Sequence, residues 1–312
     1  MNFANVTDWT IPQGDVIRVI DSQSRIIWEK NVDPEYSTPF YFENTTDTSH
    51  NVSIKLKNPD DVYRSFIIKY SYDCIDWTSV IVGGPYGSSD LFKSISNVPA
   101  HTKLYLKTTD EWWPVGTNVQ CYAEFSIANP SLQTNTQWFK IGGNFMSLVN
   151  GTTSQYFNGA SNYMDSIFAT GGIYSAEKLG MPLDTVPNCY KNLFSWCYDL
   201  IIPPKLPATV LSEGCYYNMF GQAANAYPWR LQRAPELPAT TLVKDCYREM
   251  FVSQNNISSI KCLATSGINT NNSTTSWVSN VAASGTFTKV AGATWPTGTS
   301  GIPSGWTVVD AQ

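Results

Sequence analysis

Acidic residues beside tryptophans are the part of this sequence best suited to chemistry. Asp110 and Glu111 stand directly before Trp112 and Trp113. Two carboxylates can hydrolyse a glycosidic bond, and aromatic rings beside them can stack on a sugar. The simpler interpretation of the same four residues is a hairpin tip with solvated acids. If a sugar binds here, we expect a stacking platform rather than a hydrolase, which makes Trp112 and Trp113 candidate ligand contacts.

Other catalytic arrangements are not indicated. The two histidines, His50 and His101, have no His-Glu-x-x-His or Cys-x-x-Cys motif near them, which argues against a metal site and against a Ser-His-Asp triad. The glycine-rich stretch 83–87 lacks the Lys and Ser/Thr of a phosphate-binding loop. Asp73 and Asp76 form a second acidic pair, for which solvated acids are again the simpler interpretation. The sequence therefore predicts a protein without enzymatic activity, metal or cofactor.

Charge and composition argue against two classes of partner. The chain of 312 residues has a net charge of −5 and no cluster of Lys and Arg, so we expect no binding to nucleic acid. No apolar run reaches the roughly 18 residues needed to span a bilayer, and the first residues lack the features of a secretory signal. With 14% charged and 13% aromatic residues, the composition favours strands and loops. Such a surface is also suited to burial against other chains, and both interpretations stay open.

A hexapeptide recurs in the second half of the chain. It reads Cys-Tyr-x-x-Leu/Met-Phe at residues 189–194, 215–220 and 246–251, after a worn copy at 163–168. Successive copies begin 26, 26 and 31 residues apart, and two of them share the lead-in Pro-x-Leu-Pro-Ala-Thr. A period of this length is typical of a stacked array of repeats, which usually presents surfaces rather than performs chemistry.

The cysteines of the hexapeptide are predicted to be packing residues. The worn copy has Tyr163 at the position that holds Cys189 in the next copy, and a position that accepts either residue is a packing position. The total of 7 cysteines is odd and the first residues lack the features of a secretory signal, so we expect reduced thiols. A disulfide between Cys74 and Cys121, across a β-sandwich, stays open as an alternative.

Each repeat is predicted to contain a short helix. Leu211, Cys215 and Met219 are four residues apart, which places them on one apolar face. The upstream Leu-Pro-Ala-Thr suits a helix entry, with the threonine as a cap. The longest interval between copies contains an insertion, and insertions of this kind often lie on a binding face. The candidate ligand contacts in this insertion are Tyr227, Trp229 and Arg230.

The first half of the chain is predicted to be β structure. Alternating apolar and polar residues over 51–57, 65–72, 103–107 and 120–127 indicate an antiparallel, Ig-like β-sandwich. The first thirty or so residues predict a small β-hairpin, which either packs at the edge of the sandwich or inserts into a partner as an anchor. We favour the anchor. Its attachment residues would be Trp9, Ile11, Pro12, Val16, Ile20, Ile26, Ile27 and Trp28.

The repeats resemble a known family. Units reading Leu-Pro-Ala-Thr-x-Leu and then Cys-Tyr-x-x-Met-Phe are similar to the degenerate leucine-rich repeats of Bacteroidetes surface proteins and of phages infecting those bacteria. The Gly/Pro-rich ending, residues 285–308, is similar to the C-terminal cap of those proteins. Residues 11–28 resemble an N-terminal attachment segment of virion proteins, including those of crAss-like phages. The worn copy at Tyr163 and the 31-residue interval depart from the family pattern, which leaves the repeat count open.

This resemblance implies a fold and a function. The fold class would be mainly β with α+β repeats, in four parts: an N-terminal virion attachment segment at 1–32, an Ig-like β-sandwich at 33–135, a leucine-rich-repeat-like solenoid at 136–285 and a C-terminal cap at 286–312. The chain would be a non-enzymatic virion protein of a Bacteroides-infecting, crAss-like phage, either a head fibre or a capsid decoration protein, assembled in the cytoplasm of the bacterial host.

The resemblance also implies partners. Other capsid or tail proteins would bind the N-terminus, and copies of the chain would associate as a dimer or trimer. The alternative function is a tail-associated adhesin that binds a host receptor or surface glycan through Trp112 and Trp113 or through the insertion.

Overall fold

The computed structural model describes residues 16–20, 26–31, 34–57, 64–84, 90–108, 122–127, 137–149, 151, 154–157, 166–168, 171–221 and 230–312. Within these ranges the structure is mainly β. The strands are β1 (Val16–Ile20), β2 (Ile26–Asn31), β3 (Phe40–Asn44), β4 (His50–Lys57), β5 (Arg64–Ser71), β6 (Thr78–Gly84), β7 (Asp90–Val98), β8 (Lys103–Thr108), β9 (Tyr122–Ile127), β10 (Phe139–Asn144), β11 (Ile173–Gly180), β12 (Ser259–Cys262), β13 (Thr286–Lys289) and β14 (Thr307–Asp310). The helices are α1 (Pro34–Ser37) and α2 (Met146–Val149). Neither helix of these described ranges has the length and apolar character needed to cross a bilayer.

Two β-sheets pack against each other in the N-terminal half. One has six strands in the order β11-β10-β3-β8-β5-β6, and the other has three in the order β7-β4-β9. In β8 buried residues alternate with partly exposed ones, the pattern of a sheet with one face on the core. The alternating segments of the sequence lie in β4, β5, β8 and β9, so the strands predicted there are confirmed. β1 and β2 pair antiparallel in a sheet of their own, which confirms the predicted hairpin.

The core between the two sheets is aromatic. Phe42 of β3 meets Phe125 of β9 edge to face, with ring centroids 5.2 Å apart, and both side chains are fully buried. β10 extends the larger sheet by pairing antiparallel with β3, and β11 then pairs parallel with β10. These two strands connect the sheets to the repeats, so the buried residues form one continuous core from the first half of the chain to its C-terminus.

The hexapeptide repeats form successive turns, so the predicted helices are wrong. A left-handed backbone recurs at every fourth residue: φ is +57° at Asn188 and +56° at Asn192, then +61° at Gly214 and +50° at Asn218. An L-residue in this conformation interrupts an α-helix. The four-residue spacing of the apolar positions is therefore the length of one turn. The turns occupy residues 187–196, 213–218, 244–253 and 271–280.

Backbone hydrogen bonds of these turns alternate between two directions. We call each hexapeptide with its flanking turn residues a coil. The N–H of Cys189 donates to the carbonyl of Val186 in the same coil, at 3.2 Å, whereas the N–H of Tyr190 donates to the carbonyl of Cys215 in the next coil, at 2.9 Å. The alternation recurs in the later copies. Buried N–H groups are therefore satisfied without a helix or a strand.

Two columns of stacked rings run through the coils, and we call them the aromatic ladder. The first column has neighbouring ring centroids 5.2, 5.6 and 5.7 Å apart and consists of Phe168, Phe194, Phe220 and Phe251. The second has neighbours 5.4 and 6.0 Å apart and consists of Tyr190, Tyr216 and Tyr247. Both columns begin in the core of the sheets, where Phe40 stacks on Phe168 and Phe145 packs against Tyr190. The ladder therefore joins the two halves of the described core.

A further coil, which the hexapeptide pattern does not reveal, ends the ladder. Trp277 lies 27 residues after Met250 and takes the equivalent position. Its ring lies 6.1 Å from that of Tyr247 and 6.2 Å from that of Phe251, so one indole contacts both columns. Like the earlier copies, this coil is a run of turns, over residues 271–280.

The C-terminal segment covers this last coil. β12, β13 and β14 form a parallel three-stranded sheet. Trp295 stacks on Trp277 with ring centroids 5.5 Å apart. The indole N–H of Trp306 donates to the carbonyl of Ala282 at 2.7 Å. These buried tryptophans separate the end of the ladder from solvent.

Candidate interaction surfaces

For the predicted attachment hairpin, the structure gives the pairing of the two strands β1 and β2. Its strands pair from Val16 opposite Asn31 to Val19 opposite Trp28, and the register shifts after Val19. The attachment residues within these strands, whose side chains are outside the described part, are Val16, Ile20, Ile26, Ile27 and Trp28. Trp9, Ile11 and Pro12 lie outside the described residues. A two-stranded hairpin is marginal on its own, so its stability depends on what it packs against. Its role as an anchor stays a prediction.

Only one of the predicted ligand contacts is described. Trp112, Trp113, Tyr227 and Trp229 lie outside the described residues. The Nε of Arg230 lies 3.7 Å from Oδ1 of Asp199, whose side chain is 1% exposed. The other oxygen of Asp199 accepts the N–H of Gly172 at 2.8 Å. Arg230 therefore compensates a buried carboxylate, and it also lines a polar cavity of about 550 Å³ together with Gln137 and Gln232.

The acidic and histidine candidates that the structure describes make local structural contacts. Oδ1 of Asp73 accepts two backbone N–H groups of the following turn, at 2.8 and 3.0 Å, and these hydrogen bonds lower the pKa of Asp73. His50 stacks on Trp138 at 4.1 Å, and burial lowers its pKa. His101 lies 2.9 Å from Asp47 on the surface. Among the residues described, no three of the His, Cys, Asp and Glu side chains are grouped so that they could hold a metal ion.

The cysteines of the repeats are buried free thiols, which confirms their packing role. Cys189, Cys215 and Cys246 have no exposed surface. Burial raises the pKa of the first two well above its ordinary value and that of Cys246 to about 12. A thiol held in its neutral form is neither a nucleophile nor a metal ligand. Cys74 is also free, and Cys121 lies outside the described residues.

A groove lies between two neighbouring extended segments, 202–207 and 233–238, that do not pair with each other. β-Bridges join β11 to Ile202 and β12 to Leu237, whereas no backbone hydrogen bond between the described segments 202–207 and 233–238 is found. Proline has no N–H to donate, and the prolines of both segments line the resulting groove of about 600 Å³. We call this the proline groove, after Pro203, Pro204, Pro207, Pro235 and Pro238.

Sequence reasoning missed this groove, although a signal for it was available. Pro204 and Pro207 occupy the same positions of one lead-in as Pro235 and Pro238 in the next. Prolines repeated at facing positions of neighbouring coils remove backbone N–H donors from both segments. They therefore predict that strand pairing is interrupted there.

No known protein family, curated protein or solved structure matches this chain. Its function is therefore inferred from the motifs and from the geometry above.

Proposed function

We propose that this chain is a non-enzymatic structural protein of a phage virion, a head fibre or capsid decoration protein that attaches by its N-terminal segment. The observation that carries the proposal is the aromatic ladder. Ring-to-ring contacts continue from Phe40 in the core of the sheets through the phenylalanine column to Trp277, which stacks on Trp295. A molecule built in this way holds its far end at a fixed distance and direction from its attachment point, which is what a projecting appendage requires.

The finer fold belongs to the same proposal. The two sheets would be an Ig-like β-sandwich, and the coils a solenoid of the leucine-rich type found in Bacteroidetes surface proteins and their phages. Two features support this assignment. Consecutive coils contact each other through both backbone and rings, as in quasi-one-dimensional arrays, and the C-terminal tryptophans cover the last coil as a terminal cap does.

The N-terminal hairpin would be the attachment device. β1 pairs with β2 in a sheet separate from the other three. A hairpin of this size gains stability when a partner covers it. In a virion that partner would be a capsid or tail protein, and the rest of the chain would project away from it as a dimer or trimer.

Incorporation into particles tests the proposal. The full chain and a deletion of residues 1–32 would each be produced with a tag in bacteria infected by the phage that carries this gene. Quantitative mass spectrometry of purified particles should find the full chain and not the deletion. The matched control is Lys244→Ala, which removes an exposed lysine paired with Glu213 and should incorporate normally. A full chain that stays in the lysate, or a deletion that enters particles equally well, would refute the proposal.

A second candidate function is a tail-associated adhesin for a host receptor or glycan. The observation that favours it is the polar cavity of about 550 Å³ beside Arg230. Binding of the full chain to a glycan array, lost in Gln137→Ala and Gln232→Ala variants, would support this function. An array without any signal would leave the structural role alone.

A further inference from the structure

The outward face of the six-stranded sheet carries a pocket that lies apart from every predicted contact. The strand register brings its residues together. Lys103 of β8 lies opposite Glu43 of β3, and Glu43 lies opposite Lys140 of β10. Lys178 of β11 lies opposite Gly142, two residues along from Lys140. Residues opposite each other share a face of the sheet, so these side chains surround one cavity of about 450 Å³, which we call the lysine pocket.

Tyr41 lines the lysine pocket, and its hydroxyl lies beside Gly142. A Cβ atom at Gly142 would collide with the hydroxyl of Tyr41 and would come within 2.9 Å of the Cβ of Lys178. The glycine therefore allows the phenol to lie across β10. Burial is the main cause that raises the pKa of Tyr41 to about 12, and the negative charge of the nearby Glu43 adds to it. The phenol therefore keeps its proton and can donate a hydrogen bond. The Nζ of Lys103 lies 4.2 Å from the centre of the same ring, which holds that ammonium group in place.

The lysines of the pocket form no ion pair in the described part of the chain, although Glu43 lies opposite two of them. Other lysines do form ion pairs there, for example Lys261 with Glu236 at 3.0 Å. None of the ion pairs between described residues includes a lysine of the pocket. The pocket contains three lysines and two acids, although the chain as a whole has a net charge of −5. The lysines are Lys103, Lys140 and Lys178, and the acids are Glu43 and Glu177.

The positive charge continues along the same face. Lys69 of β5 lies directly opposite Lys107 of β8. The Nζ of Lys107 lies 3.8 Å from the centre of the Trp77 ring. In the other direction the lysine pocket joins the proline groove, because Glu177 and Ile202 line both. The surface is therefore long enough for an extended ligand.

We propose that the lysine pocket binds an acidic polysaccharide, a sugar chain that carries carboxylates of the uronic acid type. The ammonium groups and the Tyr41 hydroxyl would donate to the carboxylate. Glu43 and Glu177 would accept hydrogen bonds from sugar hydroxyls, which a uronic acid supplies beside its charge. The next sugar ring would lay its apolar face on the prolines of the adjoining groove.

Two other polyanions fit this surface less well. A protein partner is disfavoured because lysine is depleted in the centres of protein interfaces. A nucleic acid is disfavoured because it offers a continuous row of phosphates, which the two glutamates of the pocket and the acidic remainder of the chain repel. An acidic polysaccharide combines separated charges with many hydroxyls and so matches a mixed array of lysine, tyrosine and glutamate.

Isothermal titration of the full chain with alginate and polygalacturonate oligosaccharides tests the proposal. Neutral dextran, poly-glutamate and single-stranded DNA serve as comparison ligands. We expect at least one acidic oligosaccharide to bind with a Kd of about 1 mM or tighter, more weakly as salt rises. Tyr41→Phe removes a single hydroxyl and should weaken binding by about tenfold. The triple change of Lys103, Lys140 and Lys178 to methionine should abolish it, and Lys244→Met, on another surface, should not change it.

The outcomes separate cleanly. Thermal melting of each variant shows that it is folded, and Tyr41→Phe keeps the ring, so a loss of affinity there reports the hydroxyl. Absence of binding to both acidic oligosaccharides would overturn the proposal. So would equal binding to poly-glutamate or DNA, since the surface would then be a general polyanion site. Binding that survives the triple lysine change would place the sugar elsewhere and would overturn it too. The proposal does not depend on the virion role.

Discussion

Replacing one ring of the aromatic ladder tests whether stacking between coils stabilises the protein. Phe220 is 1% exposed, and its ring is nearly parallel to those of Phe194 and Phe251, at 5.6 and 5.7 Å. Leucine at this position keeps an apolar side chain but loses both ring pairs. Each pair contributes about 0.5–1.5 kcal/mol beyond simple burial, and a small cavity adds to the loss. We therefore expect Phe220→Leu to lower the free energy of unfolding by about 2–3 kcal/mol.

Urea unfolding, followed by tryptophan fluorescence and circular dichroism, measures this loss. The matched control is Trp196→Leu, because Trp196 lies in the neighbouring coil and this residue is 45% exposed. It should change stability by no more than about 0.5 kcal/mol. A double-mutant cycle sharpens the test: Phe194→Leu and Phe220→Leu should couple by about 1 kcal/mol, whereas Phe168→Leu and Phe220→Leu should be additive. If Phe220→Leu costs no more than the control, or if both cycles couple equally, the ladder is not a stack of neighbour contacts.

Three further predictions follow from the coils and from Arg230. Ser276 has φ +55°, so Ser276→Gly should raise the free energy of unfolding by about 0.5–1 kcal/mol, whereas Thr275→Gly should lower it; equal losses in urea titrations would contradict this. The thiol of Cys246 has a pKa raised from 9.0 to about 12. Between these pH values the unfolded chain releases a proton that the folded chain retains, so stability falls as pH rises, by about 1.4 kcal/mol per unit for each such thiol. Cys246→Ala should flatten that decline between pH 9 and 10, and an unchanged slope would count against the burial argument. Arg230→Met leaves Asp199 buried without its guanidinium and should cost about 2 kcal/mol, since the arginine is 24% exposed; Lys244→Met should leave the urea midpoint unchanged, and equal midpoints for the two variants would argue against the ion pair.

The sequence predicted the strands and the packing positions well, for a physical reason. β4, β5, β8 and β9 show alternation because each has one face on the core, and alternation is visible in a single sequence. The Cys and Tyr positions of the hexapeptide recur in the sequence because the same positions are buried in each coil. Both signals depend on burial alone.

The form of each coil was harder to predict. Apolar residues four apart fit a helix nearly as well as a chain of four-residue turns. The distinguishing residues are those with left-handed backbones, such as Asn188, Asn192 and Asn218. Asparagine and glycine tolerate this conformation, so their recurrence every fourth position was a usable signal. Glu249 and Ser276 adopt it without that signal, which is why the pattern is incomplete.

The repeated prolines were a usable signal for the proline groove, but nothing in the sequence locates the lysine pocket. Lys103, Lys140 and Lys178 are far apart in the chain, and only the pairing of β8, β3, β10 and β11 brings them together. That pairing includes a parallel step between β10 and β11, whose register depends on tertiary packing rather than on a local turn.

Stacking constrains which residues occupy each coil, but it does not constrain the number of residues between one coil and the next. The coils at 215–220 and 246–251 stack as closely as their neighbours although their interval is 31 residues instead of 26. Closing a longer loop costs little extra entropy. The interval between Gly221 and Arg230 is therefore a natural position for grafted peptides. We expect a change of sequence in this interval to leave the stacked rings of Phe220 and Phe251 unchanged.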